Sequence, residues 1–71
     1  MTDTEALRAA IDKSGLKRTY IAKVAGLSYQ GYLNKEGGKS EFKQSEIDAI
    51  CHVLGLSLQD RQAIFFAQEV D

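Results

Sequence analysis

Residues 18–38 read RTYIAKVAGLSYQGYLNKEGG, Arg18 to Gly38, and their spacing predicts two short helices meeting at a sharp corner. Ile21, Val24 and Ala25 repeat at i, i+3 and i+4, so the first helix, about Arg18–Ala25, has one buried side. Gly26 stands where that helix must stop, because the left-handed conformation of a helix-ending residue costs glycine little and other residues a steric penalty. Ser28, two residues on, can accept a bond from an amide of the next turn, so a second helix is expected over about Ser28–Lys35. Ala22 is small enough to let two steeply crossing helix backbones approach each other.

Ala22, Gly26 four residues later, and a Ser-capped helix carrying Tyr29, Gln30 and Asn34 resemble the helix-turn-helix of the phage Cro and CI repressors, the lambda-repressor-like family. Gly38-Lys39 and the segment Phe42 to Phe66 extend the likeness to the small five-helix regulators of that family. About sixty of the 71 residues are covered. The sequence departs from the family at two positions: Tyr32 stands where a small β-branched or aliphatic residue is usual, and Lys17 where a Ser, Thr or Asp caps the first helix. The missing cap weakens that helix start by about 1 kcal/mol. The resemblance implies an all-α, compact five-helix domain spanning 1–71, with the helix-turn-helix at about 18–38 formed by helices two and three.

The rest of the chain reads consistently with that. Thr2 and Glu5 form a capping-box pair, and Leu7, Ala10 and Ile11 give helix one over about Thr4–Lys13. Ser14-Gly15 ends it, and Leu16 pins the link to the core. Glu36 to Glu41 is polar and glycine-bearing, and reads as a loop. Phe42 is an isolated aromatic expected to plug one end of the core. Ile47, Ile50, Cys51 and Leu54 define a half-buried helix over about Gln44–Leu54, stopped by Gly55. Ser57 and Asp60 open helix five, about Leu58–Gln68, with Ile64 and Phe65 inward. Alternation of strand length is lacking.

A chain of 71 residues makes one domain, burying only about 60% of its unfolded surface. With one cysteine, Cys51, no internal disulfide forms, and no Cys/His cluster has metal-ligand spacing, so neither cofactor nor metal is expected. The N-terminus lacks the basic-then-apolar order of a leader, and no apolar run approaches the ~18 residues of a membrane span. A cytoplasmic protein with no membrane partner is the expectation. The net charge of −1 conceals a strong polarity. Residues 1–12 carry −2 and residues 44–71 carry −4, whereas residues 13–43 carry +5, from Lys13, Lys17, Arg18, Lys23, Lys35, Lys39 and Lys43 against Glu36 and Glu41. The basic segment contains the predicted corner.

Catalysis has little to work with. His52 neighbours Cys51 and so projects about 100° away from it around a helix, too far for a nucleophile and its base. Asp48 and His52, at i and i+4, suit a surface ion pair instead. No enzymatic activity is expected.

Recognition has more. The second helix of such a corner enters the major groove, with its N-terminal residues at the base edges. Gln30 can bond adenine N6 and N7 as a pair, and Asn34, one turn on, can do likewise. Tyr29 and Ser28 add hydroxyls, and by the resemblance Ser28, Tyr29, Gln30 and Asn34 fall where the family commonly touches bases. Phosphate contacts are expected from Lys17, Arg18, Lys35, Lys39 and Ser40. Five neutralised phosphates give log K a slope of about −4 to −5 against log salt. Phe65 and Phe66 lie about 100° apart, so one of them is a candidate dimer contact for binding a palindromic operator.

Two functions follow. One is a sequence-specific DNA-binding transcriptional regulator of the Cro/CI type, occupying an operator on double-stranded DNA as a homodimer. The other keeps the fold but binds a CI-type repressor protein, as a modulator of repression, or acts as an antitoxin.

Overall fold

A computed structural model describes residues 1–67, and over them the chain forms five α-helices and no strand. The all-α expectation holds. The first helix, α1, runs Thr4–Ser14 and places Leu7 and Ile11 inward. Its cap is Asp3, whose carboxylate accepts the Ala6 amide at 3.0 Å; the capping box expected at Thr2 does not form. The carboxylate lies one residue closer to the first turn, and the Asp3 amide is itself held by the carbonyl of Ile64 at 2.6 Å. Asp3→Ala is therefore expected to cost about 1 kcal/mol, as caps of this kind do, and Thr2→Ala close to nothing. Thermal melts of the two variants distinguish the assignments.

The second helix, α2, spans Arg18–Val24 and starts at Lys17 without any side-chain cap. Its last residue, Val24, lies one residue inside the expected end, and Ala25 is its C-cap. Gly26 follows with φ 76°, the left-handed conformation foreseen for it, and Leu27 returns its amide to the Ala22 carbonyl at 2.9 Å. Helix α3 spans Tyr29–Glu36, with Ser28 as its cap. It is one residue longer at its C-terminal end than expected, so Glu36, read as loop, is helical. Gly38, with φ 86°, closes this end while the Lys39 amide bonds the Asn34 carbonyl at 2.9 Å.

Helix α4, Gln44–Leu54, has the expected bounds. Helix α5 covers Leu58–Phe65, capped by the Ser57 hydroxyl; the expected end at Gln68 lies outside the described residues. Helix α2 packs on α3 and α4, and α1 packs on α3, α4 and α5. Between them lie Leu7, Ile11, Ile21, Ala22, Tyr32, Phe42, Ile47, Ile50, Cys51, Ile64 and Phe65. Phe42 does close the core: its ring meets Phe65 edge-on, centroids 5.6 Å apart, and Tyr32 at 6.1 Å. Leu16 and Leu54 are half-buried against this cluster. Among the described residues no helix is long and apolar enough to cross a membrane.

Tyr32 decides how α3 sits. The larger ring at this position is wholly buried, at 0% exposure, so it belongs to the core and not to the outer side of the corner. Its hydroxyl, buried with it, has no hydrogen-bond partner.

Candidate nucleic-acid interface

The outward side of α3 is built by its inward one. With Tyr32 fixed in the core, Glu36 at i+4 turns into the interior at 4% exposure, while Ser28 one turn before it caps the helix and stays exposed. That orientation leaves Tyr29 and Gln30 exposed and Asn34 half-buried. The Ser28 hydroxyl accepts the Gly31 amide at 3.0 Å, which leaves its proton free to be donated. A Cβ at residue 31 would come within 2.9 Å of that oxygen, so glycine keeps the first turn intact. Tyr29 stands 48% exposed. Gln30 Nε2 donates to Asn34 Oδ1 at 3.1 Å, across one helical turn. All four base-reading candidates therefore lie on one helix and its cap, and none points into the core.

The phosphate candidates divide. Lys17, Lys39 and Ser40 are exposed, and neither lysine has a carboxylate partner among the described residues. Arg18 and Lys35 differ from expectation, because each is held by a buried carboxylate. Arg18 Nε donates to both Glu36 oxygens, at 2.9 and 3.1 Å, and its Nη1 reaches Asp12 at 3.1 Å. The hydrogen bond to Glu36 and, more weakly, that to Asp12 raise the guanidinium's already high pKa against the opposing effect of burial. Arg8 approaches Glu36 from α1 at 3.7 Å. Lys35 Nζ lies 2.6 Å from Glu46 Oε1, and the Lys43 amide donates to that same oxygen at 2.8 Å. Arg18 thus ties α2 to the end of α3, and Lys35 ties α3 to the start of α4.

Glu36 and Glu46 are the residues that reading the sequence missed. A signal existed for each: Glu36 follows Tyr32 by four residues, and Glu46 precedes Ile50 by four, so both continue an inward stripe. For Glu36 the signal depends on Tyr32 being a core residue.

Elsewhere the expected Asp48–His52 pair does not form. Asp48 instead accepts from Arg61 Nη2, which reaches it from α5 at 2.5 Å, and from Gln44 at 3.1 Å. Cys51 is buried, and burial pushes its thiol pKa up, in keeping with a packing role. Of the two candidate oligomer contacts, Phe65 is in the core and only Phe66, 41% exposed, remains available. An open cleft of about 450 Å³ lies between α1 and the α4–α5 turn, edged by Lys13, Leu56 and Asp60. It shares no residue with α3. No protein-family model matches the chain, and no curated protein matches it at a significant level.

Proposed function

We propose that this chain is a sequence-specific DNA-binding transcriptional regulator of the Cro/CI type, reading an operator in the major groove through α3. The observation that carries the reading is the sorting of polar groups on that helix. Its one carboxylate, Glu36, is turned inward and neutralised by two arginines, while Tyr29 and Gln30 are exposed and Asn34 half-exposed. A polar surface free of negative charge is what a groove lined with phosphates accepts. Lys17 before α2 and Lys39 after α3 flank it, and the amides at a capped helix start favour anions. Such a regulator acts in the cytoplasm, and Phe66 is the surface on which two copies meet to cover a two-fold operator.

Counterion release gives the test. With Arg18 and Lys35 engaged internally, two or three phosphates per chain are neutralised, so log K falls with log salt at a slope of about −2 to −3. Fluorescence anisotropy on a labelled duplex across a salt series measures it. The variant Lys17→Ala, Lys39→Ala is expected to flatten the slope by about 2. A slope near zero for the unaltered chain, or absence of binding at low salt, sinks the proposal.

One observation favours the second reading, in which the domain binds a CI-type repressor or a toxin protein. Two of the four charged phosphate candidates are paired with carboxylates, while Phe66 and Leu58 stand exposed. On that reading the duplex does not shift at all, and adding the chain changes the operator binding of the partner repressor.

A further inference from the structure

We propose that the cleft between α1 and the α4–α5 turn docks a peptide segment of a partner protein, in which apolar side chains are flanked by one acidic and one basic residue. The cleft shares no residue with α3, so the inference stands apart from the DNA-binding reading. Its volume, about 450 Å³, lies in the ~300–1,000 Å³ range of ligand sites. Ala10, Leu54, Leu56 and Ile64 give it an apolar floor, and of these only Ile64 is fully buried. The floor is an edge of the core that no helix covers.

Two charges border that floor, from different walls. Lys13 stands in the last turn of α1 and Asp60 in the first turn of α5. Both are exposed, and neither forms an ion pair with the other or with any further described residue. Arg18, Lys35 and Asp48, by contrast, have their partners within the fold. Ser14 is the third polar side chain of the cleft, and its hydroxyl is spent: it donates to the Ile11 carbonyl at 2.6 Å and accepts the Leu16 amide at 3.1 Å. Lys13 and Asp60 therefore decide which occupant fits. A carboxylate belongs beside Lys13, a cation beside Asp60, and between them an apolar group that leaves water for the floor. A free amino acid carries both charges on one carbon, which does not match groups on separate walls too far apart to pair. A peptide carries them on separate side chains. The rim is open to such a chain: a Cβ at Gly55 would meet nothing within 4 Å. Leu58, between Leu56 and Asp60 in sequence, is 81% exposed and continues the apolar surface outward.

The probes are acetyl-Glu-Leu-Leu-Lys-amide and its reversed order, acetyl-Lys-Leu-Leu-Glu-amide, titrated into the isotope-labelled full chain with backbone amide shifts as the readout. One order is expected to move the amides of Lys13, Ser14, Gly55, Leu56 and Asp60 saturably, and to leave those of Tyr29, Gln30 and Asn34 in place. Alanine in place of both peptide leucines is expected to weaken binding at least about tenfold. Lys13→Gln and Asp60→Asn are each expected to weaken it about two- to fivefold; both change exposed side chains, and the spectrum of each variant verifies its fold. Neither order moving the cleft amides at about 5 mM peptide overturns the proposal. So does an uncharged acetyl-Gln-Leu-Leu-Gln-amide that binds as tightly as the charged probe, and so does free leucine saturating the same amides at the same concentration. Duplex binding is read separately, on Tyr29, Gln30 and Asn34, so failure here leaves the DNA reading standing, and failure there leaves this one.

Discussion

Tyr32→Ala is expected to destabilise the domain by about 3–5 kcal/mol, whereas Tyr32→Phe is expected to stabilise it by about 1–2 kcal/mol. The first change removes a wholly buried ring that meets Phe42 and opens a cavity at the centre of a core assembled from eleven residues. For a domain of this size the total stability is itself only about 4–10 kcal/mol, so a large share of the folded population is lost. The second change keeps the ring and removes a hydroxyl that has no hydrogen-bond partner in the interior. Stripping water from that hydroxyl was a cost of folding, and phenylalanine avoids it. Urea titrations of both variants read the two effects, and a Tyr32→Phe variant less stable than the parent would show that the hydroxyl is satisfied.

The pH dependence of the same residue has a definite sign. Burial, reinforced by the charge and proximity of the Glu36 carboxylate and opposed by Arg18, raises the Tyr32 phenol pKa above its ordinary 10.0. The folded state therefore holds this proton more tightly than the unfolded chain does. Stability from this group is complete below pH 10 and declines as the pH rises from there. Tyr32→Phe is expected to remove that component of the alkaline decline while leaving the neutral-pH behaviour of the other groups in place.

Lys35→Met carries the second large effect, a loss of about 3 kcal/mol at neutral pH. Burial opposes ionisation of Glu46, but the Lys35 ammonium, the Lys43 amide and the charges of both lysines outweigh it and hold the carboxyl below its ordinary value of 4.5. Without Lys35, a nearly buried carboxylate retains only the Lys43 amide and the charge of the Lys43 side chain. The sign follows: a depressed carboxyl pKa gives stability that is present above about pH 4.5 and lost as the pH falls through the folded value. In Lys35→Met this acid transition moves to higher pH, and the gap between variant and parent narrows as Glu46 is protonated. Adding Glu46→Gln is expected to restore most of the loss, since the amide oxygen still accepts from Lys43 and no charge is stranded. Denaturant midpoints between pH 3 and 7 check both statements. They also separate two roles for Lys35: an ammonium occupied by Glu46 changes stability, whereas a phosphate ligand changes DNA affinity and leaves the midpoint alone.

Much of the architecture was legible because local rules decide it. Gly26 and Ser28 mark the corner through backbone conformation and a capping hydroxyl, both of which act within four residues. The stripe Ile47, Ile50, Cys51 placed α4 because helical periodicity is itself a local property. The choice between Thr2 and Asp3 as cap is not local, because two adjacent residues can each cap, and what favours Asp3 includes the carbonyl of Ile64, some sixty residues along the chain.

The candidate surface was legible to a smaller extent. Polar identity and spacing put Tyr29, Gln30 and Asn34 on one helix, but charge counting treated Arg18 and Lys35 as free cations. Whether a cation is free depends on the carboxylates that folding brings to it. Glu36 lies eighteen residues from Arg18, and Glu46 eleven from Lys35.

The amino-acid order alone determined the five helices, most of their starts and the all-α class, since hydrophobic spacing, caps and glycines operate over a turn or two. Only the tertiary structure decided that Tyr32 is interior, that Phe66 is left outside, and that two glutamates face inward to take two of the basic side chains. Those outcomes turn on distances between helices remote in sequence, where a charge is removed from water and a partner must be supplied in the same place.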